Sequence, residues 1–284
     1  MKWRLKAVIF FFYLVMYALV ALAVHIAVRN LRSKRRIILR VMRFWSKRAV
    51  NLFGVRLKIE GEVPHIYSQP NHLVVGNHMS YLDILISASV CPSVYITSME
   101  MRDSKLIGEV SKLASAIFIE RRDRSNVENE IKDIENHLEM GFNVGLYPEG
   151  TTTNGSEILK FKRTFFDPAI NTKKSVLPVC LKYTAIDGET FSERNADKVC
   201  WYGKMEFAPH LMDLLKLDRI DVTMSYLPEI SIRDDHDRRS LADECRTVIN
   251  YRYQELSTSM PELVRQGRAC YIPWNMRDRR TTSV

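Results

Sequence analysis

Closely spaced cysteines are missing from this 284-residue chain. Cys91, Cys180, Cys200, Cys245 and Cys270 are scattered, and no two stand at the short spacing that a zinc site or a redox motif needs. An odd set of isolated thiols suits a reducing compartment, and Cys180, inside an apolar run, reads as a small core residue. A Gly-x-Ser-x-Gly segment is also lacking, which argues against the serine-hydrolase elbow. There is no internal repeat, no low-complexity linker and no evident metal site. No long acidic or basic tail accounts for the charge balance either, 42 Lys and Arg against 33 Asp and Glu, or +9. The length favours one large α/β domain with a small appendage.

Much of the cationic excess lies between Lys2 and Arg56, beside a long uncharged run. Ala7 to Val28 carries no charge apart from the titratable His25, and its 22 residues span about 33 Å as a helix, enough to cross a hydrocarbon core. A cleaved signal peptide is the competing reading, with Lys2, Arg4 and Lys6 as its basic start and Ala21-Leu22-Ala23 as its cleavage site. The run is long for a signal core and continues past Ala23, so a membrane helix is preferred; a helix hairpin or monotopic anchor stays open. Next, Arg32, Arg36, Arg40, Arg43 and Lys47 recur on one helical face, and Ile38, Val41, Met42, Trp45 and Leu52 on another. Such a basic amphipathic helix belongs in the membrane interface, apolar side in lipid and cations on anionic head groups; an ordinary solvated helix packed on its own domain is the competing reading. Membrane lipid is therefore the expected partner rather than nucleic acid. Cations outnumber those before the span, which places the main domain on the cytoplasmic face.

From about Gly54 short apolar runs alternate with helical patterns. Strands are expected at 73–75, 93–97, 116–119, 144–147, 176–181, 199–207 and 220–226. Helices are expected at 83–89, 105–113 and 125–140, the last stopped by Gly141, and a final one at about 239–256 after a charged break at 234–239. This alternation predicts an α/β fold, a largely parallel sheet with helices on both faces. The division is a membrane anchor and interfacial helix over 1–53, an α/β domain over 54–270 and a tail over 271–284, disordered at its end.

In sheets of this kind sites form at strand ends. Gly76-Asn77-His78-Met79-Ser80-Tyr81-Leu82-Asp83 follows the run Leu73-Val74-Val75 and puts a histidine and an aspartate five positions apart. On one continuous helix that separation is about 500°, or roughly 140° around the axis, so the side chains meet only if His78 precedes the helix and the chain turns between them. Ser80 is the expected N-cap, and Ser80 with Asp83 also has the spacing of a capping box, so Asp83 can be read as a mere cap. Glu120-Arg121-Arg122-Asp123-Arg124 is a cationic strand end that fits phosphate or, failing that, a solvated turn. Pro148-Glu149-Gly150-Thr151-Thr152-Thr153-Asn154-Gly155 offers an anion or oxyanion cradle and a carboxylate able to accept from a substrate hydroxyl, or else an ordinary polar turn. Phe161-Lys162-Arg163 adds positive charge, and Pro178 places its strand near an edge or a bulge.

Taken in order, Asn77-His78 with Asp83, Phe118-Ile119-Glu120-Arg121, Pro148-Glu149-Gly150-Thr151 and Leu177-Pro178-Val179 resemble the motifs of the glycerolipid acyltransferases. The chain looks most like the 1-acylglycerol-3-phosphate acyltransferases of phospholipid biosynthesis, over about residues 70 to 185. The resemblance implies that His78 is the general base with Asp83 as its partner. It also implies that Arg121 meets the acceptor head group and that Glu149, Gly150 and Thr151 line the acceptor pocket. Asn77 and Lys162 complete the candidate substrate-binding set. The mechanism so implied has His78 take the proton of a lysolipid hydroxyl as its oxygen attacks an acyl thioester, the donor being acyl-CoA or acyl carrier protein, with no metal and no cofactor beyond this co-substrate expected. Phosphatidic acid is the first-choice product. Ser115, Thr164 and Thr152 depart from the usual glycine, glycine and arginine or cysteine. These departures open the rival acceptors, a lyso-ornithine lipid or another lysophospholipid. A membrane-bound thioesterase or lipase and a non-catalytic lipid-binding protein are the readings of another class.

Overall fold

The chain is described here from a computed structural model covering residues 2–64, 71–104, 106–120 and 126–266. Arg121, Cys270 and the tail over 271–284 lie outside the described residues. Two helices open the chain, α1 (Trp3–Ala27) and α2 (Leu31–Leu52). α1 is long and apolar enough to cross a membrane. Asn30 then caps α2, its side chain accepting from the Ser33 N–H at 2.9 Å.

One side of α1 is fastened to the body along its length. Lys6 reaches the Leu217 carbonyl, Phe10 packs against Phe53, Tyr13 against Trp45, and His25 Nε2 lies 3.1 Å from the Leu113 carbonyl. The other side leaves Leu5, Val8, Phe12, Val15, Leu19 and Leu22 exposed, spaced three and four apart in a single ridge. α2 does not lay its apolar face in lipid as expected: that face, including Ile38, Leu39 and Met42, is buried against the body, while Arg32, Arg36, Arg40 and Arg48 stand exposed.

Helices and strands then alternate: β1 (Val55–Glu60), β2 (Leu73–Gly76), α3 (Tyr81–Val90), β3 (Val94–Ser98), α4 (Met99–Arg102), α5 (Ile107–Leu113), β4 (Ile117–Ile119), α6 (Val127–Glu139) and β5 (Val144–Leu146). They continue with α7 (Asp167–Thr172), β6 (Val176–Ile186), β7 (Glu189–Thr190), α8 (Phe207–Leu214), β8 (Ile220–Tyr226) and α9 (Arg238–Gln266). The strands form an eight-stranded sheet in the order β1-β8-β6-β2-β5-β3-β4, with β7 paired to β6. β2 runs parallel to both its neighbours, β5 and β6, and the β6 pairs with β7 and β8 are antiparallel. The largely parallel α/β sheet expected from the sequence is thus what forms.

β2 and β5 are adjacent and parallel, yet the chain leaves them in opposite directions, toward β3 from one and toward β6 from the other. That divergence opens a crevice at their carboxyl ends, where ligands bind in open α/β sheets. α6 ends as its sequence implies, with Gly141 in the left-handed region at φ 84°. Ser115 is also left-handed, at φ 58°, which is a physical reason for glycine at that place in related motifs.

One expected strand is absent. Residues 199–207 are not a strand. Val199 and Cys200 are fully buried in a turn, Cys200 N–H bonding to Ala196 and Trp201 N–H to the Met79 carbonyl, and Phe207 begins α8. Their apolar character serves a packed loop with no ladder neighbour. β1 and α7 escape the sequence reading, α7 being a short helix with Pro168 in its first turn. Pro178 stands in an interior strand at an irregularity: two residues separate Val176 from Val179, while three separate their partners Tyr226 and Ile230. On that side its carbonyl accepts the Leu227 N–H, beyond the end of β8 where no ladder donor is needed.

Candidate active site

β2 ends at Gly76, and the chain turns through Asn77 to Ser80 before α3 begins at Tyr81. This is the turn that a separation of five requires. His78 Nδ1 lies 3.0 Å from Asp83 Oδ2, which also accepts the main-chain N–H groups of Met79 at 2.6 Å and Ser80 at 2.8 Å. Ser80 caps α3 through its side chain, so the capping box is present too. The cap and the histidine partner are the same carboxylate: the bonds that end the turn also fix the oxygen facing the imidazole. With Nδ1 committed to Asp83, Nε2 is the nitrogen left for a reaction partner.

The carboxyl end of β5 completes the turn. Glu149 Oε1 accepts the His78 N–H and Oε2 the Leu159 N–H, each at 2.8 Å, and Thr153 N–H bonds to the His78 carbonyl at 3.1 Å. Both Glu149 oxygens are thus on main-chain donors. Burial pushes its carboxyl up to about 7 although both N–H groups pull the other way. The Asn77 amide pairs in both directions with the Leu181 main chain of β6, at 2.9 Å each way, and faces that strand. Gly150 is left-handed at φ 71°, and the Lys162 side chain lies across it, its Nζ 2.5 Å from where a Cβ would stand. Lys162 N–H also bonds to the Pro148 carbonyl at 2.8 Å.

His78, Gly150, Thr151 and Thr152 meet at a cavity of about 400 Å³. From them it runs among apolar side chains, including Tyr13 and Leu14 of α1, Met42 and Ala49 of α2, and Leu85 and Ala88 of α3. A polar mouth on an apolar channel is the form of a site for a molecule with a hydrocarbon chain. Asn77, Lys162 and, against expectation, Glu149 stand outside its lining, the Glu149 carboxylate being taken up by main-chain N–H groups, and Arg121 falls outside the described residues.

An acyltransferase family model matches residues 56–182 of the chain. The lyso-ornithine lipid O-acyltransferase of Rhizobium meliloti is 28% identical over 221 residues, covering 75% of this chain and 73% of that protein. The 1-acyl-sn-glycerol-3-phosphate acyltransferase of Neisseria gonorrhoeae is 26% identical over 205 residues, covering 72% and 77%. The crystal structure of the 1-acyl-sn-glycerophosphate acyltransferase from Thermotoga maritima shares the fold, with a TM-score of 0.65 at 20% identity over 89% of this chain and 95% of that one.

Over residues 56–182 the chain belongs to the acyltransferase family. It is a lysolipid O-acyltransferase. Two tyrosines of this acyltransferase, absent from the sequence reading, join the histidine and aspartate. The Tyr147 ring stacks on His78 with centroids 4.3 Å apart and planes 19° apart, and its hydroxyl lies 3.1 Å from Ser87 Oγ. Tyr183 donates its hydroxyl to Asp83 Oδ1 at 2.6 Å. Burial raises both phenols above their ordinary range. Tyr147 directly follows β5 and precedes the Pro148-Glu149 motif, a position from which its contact was inferable. Tyr183 is 100 residues from Asp83 and carries no local signal.

Proposed function

We propose that this acyltransferase uses His78 as general base and Asp83 as its orienting partner to move a fatty acyl group from a thioester to a lysolipid hydroxyl. The observation that carries this reading is the His78–Asp83 pair, 3.0 Å apart, at the polar mouth of the apolar cavity. Nε2 takes the acceptor proton as the hydroxyl oxygen bonds to the thioester carbon. The tetrahedral oxyanion collapses with cleavage of the C–S bond, and the proton held by His78 goes to the departing thiolate of coenzyme A or acyl carrier protein. Gly150 and Thr151 shape the mouth, Glu149 and Asn77 hold the main chain of the base, and Lys162 backs Gly150. Residues 54–270 form the catalytic domain.

For the acceptor we favour a lyso-ornithine lipid. Among the described residues lining the cavity there is no Lys or Arg and one carboxylate, Glu100, a lining suited to a head group bearing an ammonium. The departures at Ser115, Thr152 and Thr164 support the same choice. Arg121, two positions beyond Ile119 in the sequence, favours the second reading, 1-acylglycerol-3-phosphate giving phosphatidic acid. α1, tied to the body near both ends, lies in one leaflet with its exposed ridge in lipid, and the catalytic domain faces the cytoplasm.

The test is acyl transfer by the full chain and its His78→Ala variant, with lyso-ornithine lipid, lysophosphatidic acid or no acceptor. Product made with one acceptor and lost in the variant, by about 10²–10⁴-fold, supports the base and selects the acceptor. Wild-type turnover by the variant sinks the mechanism, and free fatty acid without acylated lipid points to a hydrolase.

A further inference from the structure

Asp83 is completely buried, and its two oxygens are held by different parts of the chain. Oδ2 belongs to the local turn and His78. Oδ1 accepts from Tyr183, whose ring is also completely buried and packs against Phe191 with centroids 6.0 Å apart. A carboxylate held at one oxygen can still swing about its last bond. Held at both, it keeps one orientation, and an O–H donor at this distance is a charge-assisted bond of the strong kind.

β6 is built to deliver that hydroxyl. Tyr183 pairs with Val222 of β8, and the register slips immediately afterwards, so that Ala185 pairs with Asp221. Such irregularities re-aim side chains beside functional sites. Two residues earlier on the same strand, Leu181 docks the Asn77 amide. One strand therefore fastens the main chain before the base and the carboxylate behind it.

We infer that Tyr183 is a positioning residue for acyl transfer, acting on His78 through Asp83. The inference rests on the reading of His78 as general base. The Tyr183 hydroxyl shares the negative charge of Asp83 and fixes the plane of the carboxylate. Without it, that charge concentrates toward the imidazole, which favours the imidazolium, and the ring loses its fixed direction. Less of the base is then free at neutral pH, and the proton transfer it performs is slower.

The experiment compares the full-length wild type, Tyr183→Phe and His78→Ala in lipid-detergent micelles, measuring kcat, KM and the pH–rate profile with the acceptor that the wild type uses. For Tyr183→Phe, kcat is expected to fall about tenfold. KM should stay within about twofold for both substrates. The acid limb of the profile should move about half a unit toward higher pH. A wild-type kcat and acid limb overturns the role. So does a loss of kcat with an unmoved acid limb and a lowered melting midpoint, which marks a merely structural contact. His78→Ala separates the two levels: if it retains turnover the base reading itself fails, whereas an inactive His78→Ala beside a wild-type Tyr183→Phe removes only the role of Tyr183. If Tyr183→Phe does not fold, 3-fluorotyrosine at position 183, a stronger donor of nearly the same size, is expected to move the acid limb to lower pH; no movement overturns the inference.

Discussion

Glu149 accepts the main-chain N–H of His78 at 2.8 Å, so a carboxylate from beyond the end of β5 grips the turn that follows β2. Its second oxygen holds Leu159, and the whole carboxyl is buried. The contact joins the two strand ends whose divergence makes the crevice, and it puts a titratable group under the candidate base.

Stability should therefore carry a pH dependence from Glu149. Its carboxyl is raised to about 7, so below that value the folded chain keeps a proton that the unfolded chain releases at ordinary carboxylate pH. The contribution is complete below the ordinary carboxylate pKa and is lost as pH rises through the folded value. The amount is on the order of 3 kcal/mol. Melting midpoints of the wild type and Glu149→Gln measured from about pH 5 to about pH 8 check this. The wild type should lose stability relative to the variant as pH rises; parallel curves would assign the titration to another group.

Tyr147 should matter through its ring. Tyr147→Phe keeps the stack on His78 and loses only the contact with Ser87, so kcat should stay within about threefold. Tyr147→Ala removes the wall that keeps the imidazole in place, and kcat should fall about tenfold or more. Equal activities for the two variants would show that the stack is incidental.

Ser115→Gly should stabilise the protein. A non-glycine residue in the left-handed region is strained by roughly 1–2 kcal/mol, partly offset by the freedom glycine adds to the unfolded chain. The Ser115 carbonyl keeps its bond from Arg35 in either case. A net gain of about 0.5–1 kcal/mol, read as a melting midpoint higher by roughly 1–4 °C, is the expected outcome. A lower midpoint would mean that the hydroxyl makes a contact worth more than the strain.

Ala49→Leu should shorten the preferred acyl chain. Ala49 lines the cavity from α2, and added methyl groups occupy space that a hydrocarbon chain would fill. Each methylene displaced costs about 0.8 kcal/mol, roughly fourfold in kcat/KM. Competition between long and short acyl thioesters measures the change, and an unaltered preference would place the chain elsewhere.

What the sequence by itself determined is local. Apolar runs of the right period marked the core strands of the sheet and α1, Gly141 marked the end of α6, and the spacing of His78, Ser80 and Asp83 required a turn followed by a capped helix. Those features depend on neighbours within a few residues, where side-chain period and capping chemistry operate. The strand expected at 199–207 failed for the same reason: a short apolar run has one appearance in a strand and in a packed loop, and only a ladder partner distinguishes them. Tertiary structure alone decided the rest. Glu149 meets His78 across 71 residues and Tyr183 meets Asp83 across 100, distances over which no period carries information. The order of the sheet sets β5 and β6 on either side of β2, and the packing of α1 and α2 beside α3 walls the cavity. Which residues support the histidine, and what kind of chain lies before it, follow from that three-dimensional neighbourhood.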